Sequence, residues 1–226
     1  MKPWDVIGRT LRADGTELTL THHTSEYIIR ANGRSLMSSR MHGSEDALAV
    51  LGCHRARTLP RPQALVGGLG MGFTLRAALD LLPRSALILV AELVPAVVEW
   101  NRGPLGALAQ RPLDDPRVRI EEGDVAATMR SNRCHFDVVL LDVDNGPAAL
   151  TASSNDGLYG REGVAAARAS LRPGGVLAVW SARDDRAFER RLRAAGFSVR
   201  REHVSGRANK GGPRHTILVA QAGGAA

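Results

Sequence analysis

The stretch of sequence that decides the fold is the glycine turn Val66-Gly67-Gly68-Leu69-Gly70-Met71-Gly72. A short apolar run at 64–66 precedes it, and apolar residues at helical spacing occupy 75–82. Glycines let the chain turn sharply and let a ligand approach the backbone. The helix beyond offers free N–H groups and the positive end of its dipole. The stretch therefore predicts a strand, a turn and a helix, with Gly68, Gly70 and Gly72 spaced to hold a nucleotide.

One position separates this turn from the dinucleotide-binding fingerprint. The fingerprint places its third glycine at position 73, where this chain has Phe73. We therefore expect no nicotinamide dinucleotide here. A glycine turn is also explained by a tight strand–helix connection without any ligand, so the neighbouring strand ends have to decide between the two interpretations.

Strand-like and helical segments alternate from residue 63 onward, which is typical of a parallel sheet covered by helices on both faces. Helices are predicted near 75–82, 94–98, 125–130 and 184–195, with another from Val164 to Leu171 that Pro173-Gly174-Gly175 ends. Only a loop, 205–214, separates the last two strands, so they should be antiparallel to each other. We predict a Rossmann-like, doubly wound, mostly parallel seven-stranded sheet of the class I methyltransferase type, with strands at 64–66, 87–91, 117–121, 137–141, 176–180, 198–203 and 216–220.

Residues 1–42 have a different pattern, which predicts a short antiparallel β extension. Asp14-Gly15 and Asn32-Gly33 are strong hairpin signals, and strand-like residues occupy 17–20 and 26–30. A helix should then begin at Ser44-Glu45-Asp46, with Ser44 as its cap and acids in its first turn. We expect one Rossmann-like catalytic domain over 43–222 and a disordered tail at 223–226.

Acidic side chains follow the predicted strands beside the glycine turn. Glu92 lies about 20 residues beyond the turn, where an acid should bind ribose hydroxyls. Asp124 follows the third strand and could accept a hydrogen bond from an adenine amino group, or simply cap the helix that begins at Val125. Asp142 ends the apolar run 138–141, and Asp144 follows it.

These acids should meet at one edge of the sheet, because ligands bind at the carboxyl ends of parallel strands. Two carboxylates there could bind a cation or accept a proton, although Asp, Asn, Gly and Pro over 142–147 also suit a plain turn. We predict Asp142 and Asp144 as catalytic residues. The predicted nucleotide-binding residues are Gly68, Leu69, Gly70, Gly72, Glu92, Leu93, Asp124, Val125 and Asp142.

The composition excludes several classes of protein. The 226 residues are 44% hydrophobic, and no apolar run approaches the roughly 20 residues of a membrane span. The chain start lacks the apolar region of a signal peptide, so we expect a cytoplasmic protein. The net charge of +7 comes from scattered arginines without interleaved aromatic residues, which disfavours nucleic-acid binding. Cys53-His54 and Cys134-His135 fit no zinc spacing, and we expect no metal.

In order and spacing, the segments 68–76 and 158–175, together with Glu92, Gly123-Asp124 and Asp142, resemble the spermidine synthase family. The resemblance runs from about residue 15 to about residue 203. It implies transfer of an aminopropyl group from decarboxylated S-adenosylmethionine to a small-molecule amine. By the same resemblance, Glu92 would hold ribose, Asp124 would hold adenine, and Asp142 would deprotonate the attacking amine. The β extension would suit a homodimer contact.

The chain departs from the family pattern at three places. Met71 stands where the family usually has an aspartate that holds the aminopropyl amine. Ser44-Glu45-Asp46 replaces a tyrosine-histidine-glutamate stretch, and the loop that holds Asp144-Asn145 is shortened. These departures keep two alternatives open: a methyltransferase that uses intact S-adenosylmethionine, and a nucleotide-binding protein without turnover.

Overall fold

The N-terminal strands form a four-stranded antiparallel sheet in chain order, which confirms the predicted β extension. Its turns follow from their sequence: Asn32 and Gly33 have φ values of 46° and 76°, as a two-residue hairpin requires of both central residues. The computed structural model describes residues 3–143, 146–147, 157–207 and 212–223, so the predicted disordered tail lies largely outside the described residues. The strands are β1 (Asp5–Leu11), β2 (Glu17–His23), β3 (Glu26–Ala31) and β4 (Arg34–Ser38).

The second sheet has seven strands in the order β10-β11-β9-β8-β5-β6-β7. All neighbours are parallel except β11, which runs antiparallel to both β9 and β10, as predicted. The central strand β5 pairs with β6 on one side and β8 on the other, so Val66 lies between Val90 and Leu140. The strands are β5 (Gln63–Gly67), β6 (Leu87–Glu92), β7 (Val118–Glu122), β8 (Phe136–Leu141), β9 (Leu171–Ser181), β10 (Phe197–Ser205) and β11 (Arg214–Ala222).

Helices cover both faces of this sheet. Buried side chains of α1, α2 and α3, such as Leu48, Leu75 and Val98, belong to one apolar core. Met129 and Phe188 belong to the core on the opposite face. The helices are α1 (Gly43–Cys53), α2 (Phe73–Leu81), α3 (Pro95–Arg102), α4 (Val125–Ser131), α5 (Arg161–Ser170) and α6 (Arg186–Ala194). None of the described helices is long and apolar enough to cross a membrane.

The prediction that Ser44 caps α1 is wrong. The cap position belongs to His42, one residue before the helix begins, and its side chain makes no capping hydrogen bond. Ser44 lies inside the first turn, where its hydroxyl donates to Glu45 Oε2 at 2.6 Å. Serine is a common cap residue, but Gly43 already belongs to the helix, so α1 begins one residue earlier than Ser44.

The predicted end of the helix before β9 is also wrong. Helix α5 ends at Ser170, and Leu171 already pairs with Phe136 as the first residue of β9. The segment Pro173-Gly174-Gly175 therefore lies within the strand, at an irregularity in the β8–β9 pairing. Gly174 permits it because its φ of 75° is left-handed.

Candidate active site

The glycine turn lies at the centre of the large sheet, where β5 ends. The chain proceeds from β5 to β6 and β7 on one side, and β8 and β9 lie on the other. This is the topological switch point of the sheet, where open α/β folds bind ligands. Gly68 has a φ of 85°, and a Cβ at this position would collide with the backbone carbonyl of Asp142, whose N–H donates to the Gly67 carbonyl at 2.9 Å. The turn and the end of β8 are therefore in contact.

Glu92 fixes the turn from the neighbouring strand. Its Oε2 accepts a hydrogen bond from the Leu69 N–H at 2.8 Å, and its Oε1 accepts one from the Val94 N–H at 2.8 Å. The residue is 7% exposed, so Glu92 is not a plain surface glutamate. The two backbone donors hold the carboxylate in one orientation beside the turn, which is the geometry that ribose recognition would need.

Asn101 of α3 is a residue of this site that sequence reasoning missed. Its Nδ2 donates to the carbonyl oxygens of Gly70 at 2.8 Å and Val97 at 2.9 Å. Its Oδ1 is buried and has no hydrogen-bond partner among the described residues. The sequence offers little to predict this role, because Asn101 belongs to no motif and stands out only as a polar residue near the end of an apolar helix. Asn101 stabilises the turn from the side opposite to β8.

A cleft of about 130 Å³ opens beside the turn, and Gly70, Glu92, Leu93 and Asp142 all line it. Four of the predicted site residues are thus brought together. The N-terminal sheet supplies the other wall, including Met37. The Met37 thioether lies over Gly70. The volume of the cleft is below the roughly 300–1,000 Å³ of typical small-molecule sites. The sequence did not predict that the β extension would contribute to the site.

A larger cleft, of about 400 Å³, lies at the opposite edge of the sheet, where Arg55 and Arg172 line it. Both guanidinium groups already bind neighbours: Arg55 donates to the Gly174 carbonyl and Arg172 to Asp137. We place the candidate site at the smaller cleft, because ligands of parallel α/β sheets bind at the carboxyl ends of the strands.

The remaining predicted nucleotide-binding residues lie nearby but do not line the cleft. Asp124 caps α4, accepting a hydrogen bond from the Ala126 N–H at 2.9 Å, so the capping interpretation is confirmed and the adenine contact stays a prediction. Val125 packs against Gly67. The Leu69 side chain is 4% exposed in the core, so only its backbone faces Glu92. Gly72 is the N-cap of α2, and a side chain at this position would meet Asn101.

Asp142 carries a carboxyl group that is set into the protein at the end of β8. Thr74, in the first turn of α2, donates its hydroxyl to Asp142 Oδ2 at 2.6 Å. Burial raises the pKa of Asp142 to about 6, and the Thr74 hydrogen bond opposes that shift. A carboxyl group with a pKa near neutrality is suited to accept a proton at physiological pH. The second predicted catalytic residue, Asp144, lies outside the described residues.

Glu45 is a second buried acid on the same side of the sheet. It is 7% exposed, and burial together with the charge of Asp142 raises the pKa of Glu45 to about 7. The sequence marked Glu45 only as a first-turn acid, which would ordinarily be exposed. Its burial arises because α1 packs across β8 and β9, and nothing local in the sequence encodes that contact.

Met71, by contrast, does not reach the cleft. Its side chain is fully buried in the core beneath the turn. The position that usually supplies an acid in the spermidine synthase family therefore contributes no charge here. The acids that line the cleft, among the residues that the structure describes, are Glu92 and Asp142.

Comparison with known proteins agrees with this geometry. The chain is 35% identical over 151 residues to polyamine aminopropyltransferase 2 of Pseudomonas aeruginosa, a match that covers 62% of this chain and 41% of that protein. It is 35% identical over 121 residues to polyamine aminopropyltransferase of Nitrosomonas europaea, covering 52% of this chain and 34% of the relative. The chain thus spans less than half the length of these curated relatives. No protein-family model matches the chain.

Solved structures show the same fold. Spermidine synthase from Thermotoga maritima superposes with a TM-score of 0.74 at 19% identity, over 97% of this chain and 73% of that one. A spermidine synthase in complex with the transition-state analogue AdoDATO gives a TM-score of 0.72 at 20% identity, with the same coverage. The chain is therefore similar in sequence to polyamine aminopropyltransferases and has the fold of the spermidine synthases, so the resemblance predicted from its sequence is confirmed.

Proposed function

We propose that this protein is a transferase that moves an aminopropyl group from decarboxylated S-adenosylmethionine to a small amine. One observation carries the proposal: the carboxyl group of Asp142 is held by Thr74 at 2.6 Å at the strand end that touches the glycine turn. A proton acceptor thus lies next to the place where a nucleotide would bind. The names of the curated relatives support the same activity.

The nucleotide would lie across the turn, with its ribose hydroxyls towards Glu92. Glu92 is suited to this role because two backbone N–H groups fix its carboxylate at the cleft. Charge-assisted hydrogen bonds to ribose contribute roughly 1.5–3 kcal/mol each. Asp124 at the end of β7 would contact adenine with the carboxylate oxygen that does not cap α4. Glu92 and Asp124 would therefore determine where the sulfonium lies.

The transfer step needs positioning and one proton acceptor. The acceptor ammonium gives a proton to Asp142, and the freed nitrogen lone pair attacks the carbon next to the sulfonium. The carbon–sulfur bond breaks and its electron pair returns to sulfur, leaving methylthioadenosine and a secondary ammonium product. Asp142 then releases its proton to water. The sulfonium is already a good leaving group, so orientation and proton removal supply most of the catalysis.

A methyltransferase that uses intact S-adenosylmethionine is the second candidate, and the position of Met71 favours it. An aminopropyl amine carries a positive charge that an acid would bind, but Met71 is buried and uncharged. The cleft wall also contains Arg12, a group suited to the carboxylate that only the intact nucleotide has. A homodimer through the N-terminal sheet and a location in the cytoplasm stay predictions.

Product analysis separates the candidates. The purified protein is incubated with either nucleotide and a panel of small amines, and the products are identified by mass spectrometry. Methylthioadenosine formed only with the decarboxylated nucleotide and an amine is the expected result. S-adenosylhomocysteine formed from the intact nucleotide would replace the proposal with methyl transfer. Absence of both products would favour a binding protein without turnover.

A further inference from the structure

The cleft of about 400 Å³ at the opposite edge of the large sheet has no part in the proposed reaction. It lies at the amino ends of β8 and β9, where Arg55, which follows α1, and Arg172, at the start of β9, line it. Asp142 follows the carboxyl end of β8, so a ligand in this cleft would not touch the reacting groups. The volume of the cleft is within the roughly 300–1,000 Å³ of small-molecule sites.

The guanidinium group of Arg55 packs on the irregular first part of β9. Its Nη1 donates to the Gly174 carbonyl at 2.9 Å. Gly174 has a left-handed φ of 75°, and a Cβ added there would collide with the Arg55 guanidinium. The glycine therefore lets the guanidinium lie directly on the backbone at the cleft wall. The hydrogen bond uses one of five N–H donors, and its acceptor is an uncharged carbonyl, which leaves the positive charge of Arg55 unbalanced.

Arg172 is fixed by a buried acid on the neighbouring strand. Its Nη1 donates to Asp137 Oδ2 at 2.9 Å, and the same oxygen accepts a hydrogen bond from the Gln63 N–H at 2.8 Å. The Asp137 side chain is 11% exposed and that of Arg172 is 39% exposed, so the acid lies in the wall while the guanidinium remains accessible. Asp137 is the acid among the described residues that line the cleft. Two guanidinium groups against one carboxylate leave an excess of one positive charge.

We propose that this cleft binds the oxyanion group, a carboxylate or a phosphate, of a small molecule, and that Arg55 and Arg172 hold that group. Guanidinium groups bind both kinds of oxyanion through paired N–H donors. The bonds to Gly174 and Asp137 fix both guanidinium groups before a ligand arrives, which reduces the entropy that binding would cost. Leu59 and Pro173 also line the cleft and would contact an apolar part of the ligand.

Cys134 is a direct reporter of this cleft, because it lines the cleft and is exposed. The other cysteine, Cys53, is fully buried, and burial raises the pKa of its thiol to about 12. Alkylation at neutral pH therefore reports on Cys134, and peptide mass spectrometry checks the modified position. Iodoacetate and iodoacetamide are similar in size and differ in charge, and each forms a carbon–sulfur bond with loss of iodide. Normalised to a free model thiol, the anionic reagent should react at least about threefold faster at low ionic strength.

The binding test is protection of Cys134 from the neutral reagent, iodoacetamide. Inorganic phosphate or succinate, at millimolar concentration and constant ionic strength, should slow the reaction. Protection by phosphate alone assigns a phosphate ligand, protection by succinate alone assigns a carboxylate, and protection by both supports the shared chemistry. Arg55→Gln and Arg172→Gln should each weaken the protection at least about threefold. Arg133→Gln removes an exposed charge next to Cys134 but outside the cleft lining, so this matched control should keep the protection.

Three results would overturn the inference. The first is wild-type protein that neither anion protects, and this result needs no variant, so the test holds even if Arg172→Gln fails to fold. The second is full protection in Arg55→Gln and Arg172→Gln, with their folding checked by circular dichroism. The third is an equal loss of protection in Arg133→Gln, which would show a general effect of charge. None of these readouts depends on nucleotide binding or transfer, so failure of the proposed function would leave them unchanged.

Discussion

The carbonyl oxygen of Asp142 occupies the space that a side chain on Gly68 would need. The two residues are 74 positions apart in sequence, yet they meet because β5 and β8 are neighbours in the sheet. The glycine at position 68 therefore has two roles. It adopts a left-handed φ of 85°, and it lets the strand end that carries Asp142 approach the glycine turn.

Gly68→Ala should lower both stability and nucleotide affinity. The matched control is Gly196→Ala, since Gly196 has a φ of 84° and a Cβ added there would meet no heavy atom within 4 Å. Gly196→Ala should lower the free energy of unfolding by the backbone strain alone, which is about 1–2 kcal/mol. Gly68→Ala should lower the free energy of unfolding by about 1–3 kcal/mol more, because the backbone of Asp142 has to move to make room for the new Cβ. Urea unfolding measures the stability of both variants. Equal losses of stability would contradict the close approach of Gly68 to the Asp142 carbonyl.

Glu92→Ala should weaken nucleotide binding at least about tenfold, because the carboxylate that would accept from ribose is removed. It should also lower the free energy of unfolding by about 1–3 kcal/mol, since the Leu69 and Val94 N–H groups lose their acceptor. Calorimetry with methylthioadenosine measures the affinity. Glu122→Ala, an exposed acid paired with Glu92 on the next strand, is the control and should change neither quantity. Unchanged affinity in Glu92→Ala would remove Glu92 from the site.

Asp142→Asn should abolish transfer while nucleotide affinity stays within a few-fold of the wild type. The asparagine keeps the shape and can still accept from Thr74, but it cannot take the proton of the amine. General-base catalysis of this kind contributes roughly 10²–10⁴-fold. Product detection and calorimetry on the same preparation check the prediction. Full activity of Asp142→Asn would exclude Asp142 as the base. Loss of nucleotide binding together with activity would show that Asp142 binds the nucleotide or stabilises the fold instead.

The contribution of Glu45 and Asp142 to stability should fall as the pH rises from about 4 to about 7. The folded state raises the pKa of Glu45 to about 7 and of Asp142 to about 6, so these two residues bind more protons in the folded state than in the unfolded chain in this window. The free energy of unfolding then decreases with pH, by an amount on the order of a few kcal/mol for shifts of this size. Glu45→Gln mimics the protonated acid and should flatten the curve. The free energy of unfolding is measured by urea unfolding at each pH. If its pH dependence were the same in the wild type and in Glu45→Gln, the folded state would not raise the pKa of Glu45.

The sequence predicted most of the fold because the relevant signals are local. Asn32-Gly33 marks a turn by its own conformational preference, and alternating apolar strands and helices imply the parallel sheet. The strand-end acids Glu92 and Asp142 were likewise predictable, since the topology brings carboxyl ends to one edge. The structure places both of them in one cleft with Gly70, and their roles stay predictions.

The missed residues act through packing between distant segments. Asn101 binds the glycine turn from α3, Met37 covers Gly70 from β4, and Glu45 becomes buried through the packing of α1 on the sheet. Each contact depends on how a helix or strand is placed in three dimensions, which periodicity does not specify. The errors at Ser44 and Leu171 have another origin. At Ser44, the residue type suggested a helix cap, but α1 already begins at Gly43. At Leu171, the apolar spacing suggested a helix, but the residue pairs with Phe136 as part of β9.

The most direct test of the central claim is calorimetric titration of the wild-type protein with decarboxylated S-adenosylmethionine, intact S-adenosylmethionine and methylthioadenosine under identical conditions. We expect all three adenosine nucleosides to bind through the glycine turn and Glu92, and the decarboxylated form to bind most tightly. A clear preference for the intact form would contradict aminopropyl transfer. Failure of all three to bind would contradict the nucleotide site itself.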